Sequence, residues 1–326
     1  MAGSKAWFSG TGGGDSFWDQ PESGEIETEN NVTIKGDAFE YFQLHPVLST
    51  MNARLTLTSN TPITTSDVTG ATTLYYTPHN GEIVTLHNGT DTWLAHTLTE
   101  ISITNSGLSA NKNYDVFVYN DSGTLKLAFG TAWTDDITRA EALGSQDGIA
   151  VKNGDTDYRH VGTIRTDSTG KFEDSETSRF VWNRYNKVER VLKKTESTTS
   201  WTVTAPGSWV WSQLNSDTSN KVSAIVGDVG QKINITHYLS HSVNGGGTAN
   251  AGIGVDVTNA SSGIFPTSNS TVSVIITAQC QLDDYIPLGY HDYNMLQLPN
   301  ISNNTTFYGE STNNTFIGGM TGKIEG

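Results

Sequence analysis

The stretch YDVFVYNDSGTLKLAF, residues 114–129, decides the fold class. Its first part, residues 114–119, is apolar on both faces, as in a strand that lies in the middle of a sheet. Residues 120–123 have turn chemistry, and beyond them large apolar residues alternate with small or charged ones. The stretch therefore predicts an antiparallel hairpin whose first strand is central. The alternating residues of the second strand are Leu125, Lys126, Leu127, Ala128 and Phe129.

Turn signals of the same kind recur along the chain. Its 326 residues include 33 glycines and are rich in Ser, Thr and Asn, which favours strands and turns over helices. Asn88-Gly89 in LHNGTDTWL predicts a second tight hairpin, and KNGD, residues 152–155, predicts a third between residues 149 and 164. We therefore expect a mainly β protein.

One short helix is expected to interrupt these strands. In TDDITRAEALG, residues 134–144, Thr134 or Asp135 can cap the N-terminus, and Asp136 sits favourably in the first turn. Apolar residues then follow helical spacing, and Gly144 can end the helix. The segment predicts a connector helix within a middle β domain of residues 51–195.

The first fifty residues are expected to form an extended N-terminal arm, because they mix glycines and acidic residues without the periodicity that builds a core. Isolated aromatic rings in such a segment need a pocket that buries them. Either the arm packs on its own domain, or it anchors the chain by inserting into another protein. The candidate anchor residues are Trp7, Phe8, Phe17 and Trp18.

Basic side chains concentrate in RFVWNRYNKVERVLKK, residues 179–194, just before the predicted end of the middle domain. One interpretation is an edge strand whose charges stay in solvent and prevent unwanted pairing. The alternative is a docking strip for an acidic partner, such as the glutamate-rich arm of a neighbouring copy. The candidate docking residues are Arg179, Arg184, Lys187 and Arg190.

The last third of the chain, residues 196–326, again predicts strands. KINITHYLS, residues 232–240, alternates apolar and polar positions. TVSVIITAQ, residues 271–279, places Val272, Val274, Ile276 and Ala278 on one face, and we expect such faces to cover a shared core. Turns rich in Gly, Asn and Ser separate these strands. The pattern is typical of an antiparallel sandwich of the jelly-roll type.

The charge balance excludes several classes of function. The chain has 34 acidic and 19 basic residues and a formal net charge of -15, which repels nucleic acids and anionic membranes at long range. The sequence shows no secretion signal and no apolar membrane span, so we expect a soluble chain. The single cysteine, Cys280, lies in an apolar stretch and is expected to be buried rather than reactive.

The residues that could support catalysis or bind a metal do not group in the sequence. Glycan hydrolysis needs two carboxylates held across a cleft, whereas acidic residues beside turns are normally solvated. His237 and His241 would lie more than about 10 Å apart along a strand, too far to chelate a metal together. We expect no enzyme activity, metal or cofactor. The acidic groups considered are Asp155 with Asp157, Glu173-Asp174 with Glu176, and Asp283-Asp284.

Four blocks, the first of which begins at Leu74, resemble a domain that recurs in virion proteins of tailed phages and in prophage-encoded fibre or decoration proteins. The blocks occur in order over about a third of the chain, and the run is more specific than any one block. They are LYYTPHNGEIVTLHNGTDTWLAHTLTEISIT, SGLSANKNYDVFVYNDSGTLKL, AWTDDITRAEALGSQDGIAVKNGDTDYRHVGTIRT and EDSETSRFVWNRYNKVER.

The C-terminal sequence, GYHDYNMLQL followed by NTTFYGESTNNTFIGGMTGKIEG, is similar to the last strands of trimeric jelly-roll tips in phage fibres and head-decoration proteins. This resemblance implies a homotrimer around a three-fold axis, an N-terminal arm that anchors it to the virion, and no catalytic residues. Tyr290, His291, Tyr293 and the loop 300–304 are left for a surface, where aromatic rings can stack on sugars.

The expected function is that of a non-enzymatic phage structural protein, a homotrimeric fibre or decoration protein made in the host cytoplasm and placed on the virion surface. Its partners would be itself, other virion proteins and host surface polysaccharide, which its C-terminal tip would contact. Two alternatives are a capsid cement protein without host binding and a glycan-degrading tailspike.

Overall fold

The computed structural model describes residues 26–27, 33–34, 50–310 and 318–326. The chain divides into two compact units, Met1–Thr50 and Met51–Gly326. In the first unit, β1 (Ile26–Glu27) pairs antiparallel with β2 (Thr33–Ile34). The second unit contains all the other described strands, which makes the protein mainly β, as expected.

The first half of the second unit consists of short strands joined by tight turns. These strands are β3 (Ala53–Thr56), β4 (Val68–Ala71), β5 (Thr73–Pro78), β6 (Ile83–His87), β7 (Trp93–Thr97), β8 (Ile101–Thr104), β9 (Asn113–Asp121), β10 (Thr124–Phe129), β11 (Gly144–Gln146), β12 (Ile149–Lys152), β13 (Asp155–Arg165), β14 (Phe172–Asp174), β15 (Ser178–Arg179) and β16 (Val181–Asn183).

The second half contains longer strands. These are β17 (Glu189–Thr195), β18 (Ser200–Val203), β19 (Ser212–Gln213), β20 (Lys221–Val226), β21 (Lys232–Val243), β22 (Gly247–Thr248), β23 (Asn250–Val255), β24 (Asn269–Ser270), β25 (Ile276–Tyr285), β26 (Gly289–Leu298), β27 (Thr305–Tyr308) and β28 (Gly319–Glu325). Helical structure in the described part of the chain is limited to one 3-10 turn, Leu214–Ser216. No helix there is long and apolar enough to cross a membrane.

The hairpin predicted over residues 114–129 is formed by β9 and β10, which Ser122 and Gly123 connect. Both residues have positive φ, 52° and 97°, as a two-residue hairpin turn with right-handed twist requires. The Asn120 side chain accepts a hydrogen bond from the Gly123 amide at 2.8 Å and fixes the turn. β9 lies between β10 and β13 and buries its apolar side chains, which confirms that it is a central strand.

The other two predicted hairpins are confirmed as β6 with β7 and β12 with β13. The first of them has a five-residue loop, residues 88–92, instead of the tight turn predicted at Asn88-Gly89. The Asn88 side chain accepts hydrogen bonds from the amides of residues 90, 91 and 92 at 2.9, 3.0 and 3.1 Å. One side-chain oxygen thus organises the whole loop, which is the mechanism of an Asx turn extended by two residues.

Two sheets face each other in the second half and form a β-sandwich. In one sheet β26 pairs with β20 and β23, and in the other β21 pairs with β25 along one edge and with β28 and β27 along the other. β17 and β18 complete the second sheet. The inward side chains form one core, which includes Val222, Ile235, Phe307 and the buried Cys280.

The two halves of this unit share a sheet. β15 pairs parallel with β20, and β14 and β4 extend the same sheet into the first half. Each half nevertheless has its own core, one built from residues between Met51 and Val181 and the other from residues between Trp182 and Ile324. β17 ends at the residue where the sequence predicts a domain boundary, and it pairs with the last strand, β28. The division at residue 195 stays a prediction.

The helix predicted over residues 134–144 is wrong. Asp135 does accept hydrogen bonds from the amides two and three residues ahead, as a helix cap would. The carbonyl of Asp136, however, accepts from the Asn113 side chain and from the Tyr290 amide, at 2.8 Å each. In a helix, the Asp136 carbonyl would accept a hydrogen bond from an amide of the next turn. Here groups that are distant in sequence bind this carbonyl instead, and the segment between β10 and β11 is irregular.

TVSVIITAQ forms a strand only from Ile276 onward, where β25 begins. Val272 and Val274 precede the strand and are exposed, so the prediction that they share a buried face is wrong. The Ser270 hydroxyl donates to the Val274 carbonyl at 2.5 Å, which bends this part of the chain into a loop. Hydrophobic alternation alone does not distinguish such a loop from a strand.

Two histidines of β21 lie in the sandwich core. Burial lowers the pKa of His237 and of His241 to about 4. His237 donates from Nδ1 to the Gly252 carbonyl at 2.9 Å, and His241 packs 6.2 Å from the Phe307 ring. The folded protein therefore holds both imidazoles in the neutral form at neutral pH.

We predict that the stability of the fold decreases between pH 6.5 and about pH 4. The unfolded chain takes up these two protons near pH 6.5, whereas the folded chain does so only near pH 4. The neutral histidines therefore stabilise the fold fully above pH 6.5. Below that pH, the preference of the unfolded chain for protonation lowers the free energy of unfolding by up to roughly 3 kcal/mol per histidine by pH 4. Urea unfolding between pH 7 and pH 4.5 measures the loss. His237→Gln should lose less stability than the wild type over this range, and an equal loss would contradict the role of His237.

Candidate functional site

The four candidate anchor residues, Trp7, Phe8, Phe17 and Trp18, lie outside the described residues, and their role as an anchor stays a prediction. The other seven candidates lie in the second unit. The four docking candidates lie between the start of β15 and the end of β17, and the other three candidates are on β26.

Arg179 and Arg190 are buried, and both bind the carboxylate of Asp174. Arg179 donates to Oδ1 at 3.1 Å, and Arg190 donates to Oδ2 at 2.8 Å. Arg179 donates in addition to the Val191 carbonyl, at 2.9 Å from Nε and 2.7 Å from Nη2. These two guanidinium groups are therefore bound inside the protein and do not form part of a continuous basic surface.

A third arginine, Arg54 on β3, joins this group. Its Nη2 donates to the Gly326 carbonyl at 2.7 Å, and its Nη1 donates to the Asn186 carbonyl. Burial and the positive charge of Arg190 lower the pKa of Arg54 to about 10. We call the four side chains Arg54, Asp174, Arg179 and Arg190 the Asp174 cluster. It joins β3, β14, β15 and β17, and through Arg54 it also holds the last residue of the chain.

The other two docking candidates remain accessible. Arg184 pairs with Asp228 at 3.0 Å, and Lys187 is exposed with its Nζ 4.9 Å from the centre of the Trp182 ring. Of the four docking candidates, only these two can meet an external partner without breaking the Asp174 cluster. Docking through Arg184 and Lys187 stays a prediction.

Arg184 also belongs to a second polar cluster, which surrounds the buried Asp115 of β9. Arg184 donates from Nε to Nδ1 of His160 at 2.8 Å, so the His160 proton lies on Nε2, which donates to Asp115 at 3.1 Å. Arg139 binds the same carboxylate through Nε and Nη2 at 2.7 and 2.9 Å. We call Asp115, Arg139, His160 and Arg184 the Asp115 cluster.

The charges within the Asp115 cluster are fixed by these contacts. Burial alone would raise the pKa of Asp115, but the hydrogen bonds from His160 and Arg139 hold it far below its usual range. Burial lowers the pKa of His160, in agreement with a neutral ring. Both ring nitrogens are bonded and the ring is buried, so protein groups occupy both hydrogen-bonding positions of His160.

Tyr290, His291 and Tyr293 lie on β26, a central strand between β20 and β23. Tyr293 is 1% exposed and His291 is 4% exposed, so the structure corrects the expectation that these two rings face solvent. Alternate residues of a strand point to opposite faces, and Tyr293 belongs to the sandwich core. Burial opposes protonation of His291, but its bond to Asp256 at 2.7 Å raises its pKa above the ordinary value.

Tyr290, on the opposite face of β26, lines a depression of about 430 Å³ between the two halves of the unit. The Arg165 guanidinium lies 3.6 Å from the centre of its ring, and its hydroxyl donates to Asp292 at 2.6 Å. Burial and this bond raise the pKa of Tyr290. Carboxylate oxygens beside one aromatic ring are groups that can bind hydroxyl-rich ligands. The lining residues are Asp135, Asp136, Ile137, Asp256, Tyr290 and Asp292.

The structure disperses most of the acidic groups considered in the sequence. Asp155 pairs with Lys152 at 2.6 Å, and Asp283 and Asp284 are exposed on β25. Asp174 differs from the expectation because it is buried instead of solvated. Within the described part of the chain, no group of three or more His, Cys, Asp or Glu side chains could hold a metal ion.

Sequence reasoning missed the Asp115 cluster. The available signal is Asp115 itself, a charged residue inside the apolar run YDVFVY, because a buried charge requires partners. Nothing in the sequence identifies those partners, since Arg139 and His160 lie 24 and 45 residues away. The pairing of β9 with β13 brings His160 to Asp115, whereas Arg139 reaches it from the irregular segment between β10 and β11.

No protein-family model matches the sequence, and no curated protein matches it. Among solved structures, the chain is similar to an insecticidal delta-endotoxin from Bacillus thuringiensis at 7% identity, with 85% of this chain and 52% of that chain covered and a TM-score of 0.23. It thus spans about half the length of the endotoxin.

Two further structures are similar at the same low level. The structure of the infectious bursal disease virus Gx strain matches at 11% identity over 80% of this chain and 74% of that one, with a TM-score of 0.25. An exo-beta-1,3-galactanase from Phanerochaete chrysosporium matches at 10% identity over 84% and 68%, with a TM-score of 0.14. Scores this low show no shared fold.

We predict that Asp174→Asn destabilises the protein by about 3–5 kcal/mol, because the arginines of the cluster would remain buried without their counter-charge. The matched control is Asp155→Asn, which removes an ion pair on an exposed turn and should cost less than about 1 kcal/mol. Thermal or urea unfolding measures both changes. Equal effects of the two substitutions would contradict a special role for the Asp174 cluster.

Proposed function

We propose that this chain is a non-enzymatic structural protein of a phage virion surface, a homotrimeric fibre or decoration protein. The observation that carries the structural role is the use of its buried ionisable groups. The Asp174 and Asp115 clusters join strands that are distant in sequence, and every charged group in them is bound to another part of the chain. Buried charges of this kind favour one arrangement of the strands over others.

The assignment to a virion rests on the two sequence resemblances. The four phage-like blocks run from β5 into β17 and so include both polar clusters, apart from Arg54. The blocks that resemble trimeric fibre tips include β26, β27 and β28, which are strands of the sandwich. The first resemblance therefore covers most of the first half and the start of β17, and the second falls on the sandwich of the second half.

The proposed arrangement is a trimer that the N-terminal arm anchors to the particle. We predict that removal of residues 1–30 leaves soluble trimers, because the second unit contains both cores, but that these trimers no longer join particles. Light scattering on the purified protein measures the oligomer, and quantitative mass spectrometry of purified particles measures incorporation. Unchanged incorporation of the truncated chain would refute the anchor.

Contact with host surface glycans is the second part of the proposal. Of the three rings singled out for this role, Tyr290 is the one that lines this depression, and the neighbouring carboxylates offer acceptors for sugar hydroxyls.

We predict that Tyr290→Ala weakens binding to host polysaccharide by tenfold or more, because it removes the one aromatic ring of the depression. Tyr285→Ala is the control, since Tyr285 is exposed on β25 away from the depression. Binding to purified host polysaccharide is measured by biolayer interferometry. If the wild type binds no host glycan, the cement alternative replaces this part of the proposal.

A further inference from the structure

Four loops meet at one end of the sandwich. The strand pairings place their ends together, since Val243 pairs with Thr305, Asn250 with Leu298, and His241 with Ile276. The loops that connect these strands form a surface that we call the loop end. It comprises residues 204–211, 244–249, 261–275 and 299–304, of which the first residues of the third loop run along the edge of β25, where Ile264 pairs with Gln281.

Hydrogen bonds between the loops give this surface a defined shape. Asn303 donates from its side chain to the Gly246 carbonyl at 3.0 Å, and Asn300 donates to the Thr248 carbonyl at 3.1 Å. The Gly207 amide bonds to the Ile301 carbonyl at 3.0 Å. The Trp211 and Phe265 rings meet edge to face at 5.1 Å. The loop end is therefore a built surface and not a set of independent loops.

The loop end carries no charge. None of its four loops contains Asp, Glu, Lys, Arg or His, although charged residues make up 16% of the chain and the formal net charge is -15. The opposite end of the sandwich is different: Glu189, Lys232, Lys323 and Glu325 lie together there. Charge is thus excluded from the four loops, and carboxylates lie close to them at Asp283 and Asp284, which line one depression with Ile264.

The same surface exposes large apolar side chains. Ile264 is 84% exposed and Val272 is 64% exposed, and both lie in the longest of the four loops. A cluster of such side chains on a soluble protein usually marks a contact with another protein. The exposed apolar residues of the loop end are Trp209, Val210, Ile264, Phe265, Val272, Val274 and Ile275.

An open strand edge continues this surface. Gln281 of β25 exchanges two backbone hydrogen bonds with Ile264, at 2.7 and 2.8 Å, on the side away from β21. By the two-residue alternation of a strand, the backbone groups of Thr277 and Gln279 also face away from β21, and among the described residues they have no backbone partner there. Residues 276–282 of this edge contain no charge and no proline, the usual protections of a free edge.

We propose that the loop end, with the adjoining edge of β25, is the surface through which copies of this chain contact one another. This inference rests on the homotrimer of the proposed function and assigns its contact surface. Residues near a symmetry axis approach their own copies, so any charge there would face a like charge. A different partner could match the acidic surface with basic residues, whereas a second copy with the same net charge fits best where charge is absent.

The composition of the loop end favours a protein over a sugar as its occupant. Binding of a sugar face requires aromatic rings, but five of its seven exposed apolar side chains are aliphatic. Aliphatic side chains and an open strand edge are suited to contact with another polypeptide. The loop end therefore contacts protein, and the depression at Tyr290 is a separate candidate site.

The test introduces one charge into the loop end. In Val272→Asp and in Ile264→Asp, each copy brings a carboxylate into the contact, so the trimer should dissociate at least tenfold more readily. Val229→Asp is the matched control, because Val229 is also an exposed valine, 72% exposed, but follows β20 near the opposite end of β21. Sedimentation equilibrium measures the oligomer for all four proteins, and circular dichroism checks that each is folded.

A trimeric wild type and Val229→Asp, with monomeric loop-end variants, would support the inference. Loop-end variants that remain trimeric would refute the inference about the contact surface but not the homotrimer. If such trimeric variants also fail to bind particles, the loop end contacts another virion protein, and the inference is refuted in that case too. A monomeric wild type would refute the homotrimer itself. If the variants do not fold, amide hydrogen exchange of the wild type tests the inference instead. The amides of residues 264–279 should exchange more slowly in the trimer than in the monomer obtained by dilution. Equal exchange rates would refute the inference.

Discussion

The contact on which the second unit most depends is the one between the Asp174 carboxylate and the guanidinium groups around it. Arg179 and Arg190 bind both of its oxygens, while Arg54 adds positive charge and holds the carbonyl of Gly326. Removing these charges from water carries a large desolvation cost, which only close pairing offsets. The cluster therefore forms only when β3, β14, β15 and β17 are all in place, and Arg54 then holds Gly326 as well.

The Asp115 cluster also joins parts of the second unit that are distant in sequence. Arg139 bonds to Asp115 and to the Gly227 carbonyl, and Arg184 bonds to His160 and Asp228, so both arginines link the first half to the loop that follows β20. The two cores are thus joined by polar contacts as well as by the sheet that contains β15 and β20. In the proposed function, this linkage keeps the two halves of a particle-surface protein in one fixed arrangement.

Local chemistry in the sequence was sufficient to predict much of the fold, and long-range contacts account for what it missed. The hairpin at residues 114–129 could be predicted because its turn residues and its alternation lie within one short stretch. The helix after Trp133 could not be excluded, since its competitor is the Tyr290 amide, more than 150 residues away. The basic strip illustrates the same limit. Arg179 and Arg190 bind a buried carboxylate that only the folded sheet brings near, whereas the two candidates between them stay accessible. The candidate site was the least predictable part, since two of the three β26 rings are buried by strands on both sides.

The central claim, a trimeric structural protein on a phage particle, is tested most directly by locating the chain in intact particles. Cryo-electron microscopy with the capsid symmetry relaxed would give its position and copy number. The account predicts density for three copies around a local three-fold axis at the particle surface, as knobs on the head or as a fibre at the collar or tail. Purified particles that lack the chain, or that carry it as isolated single copies, would contradict the account.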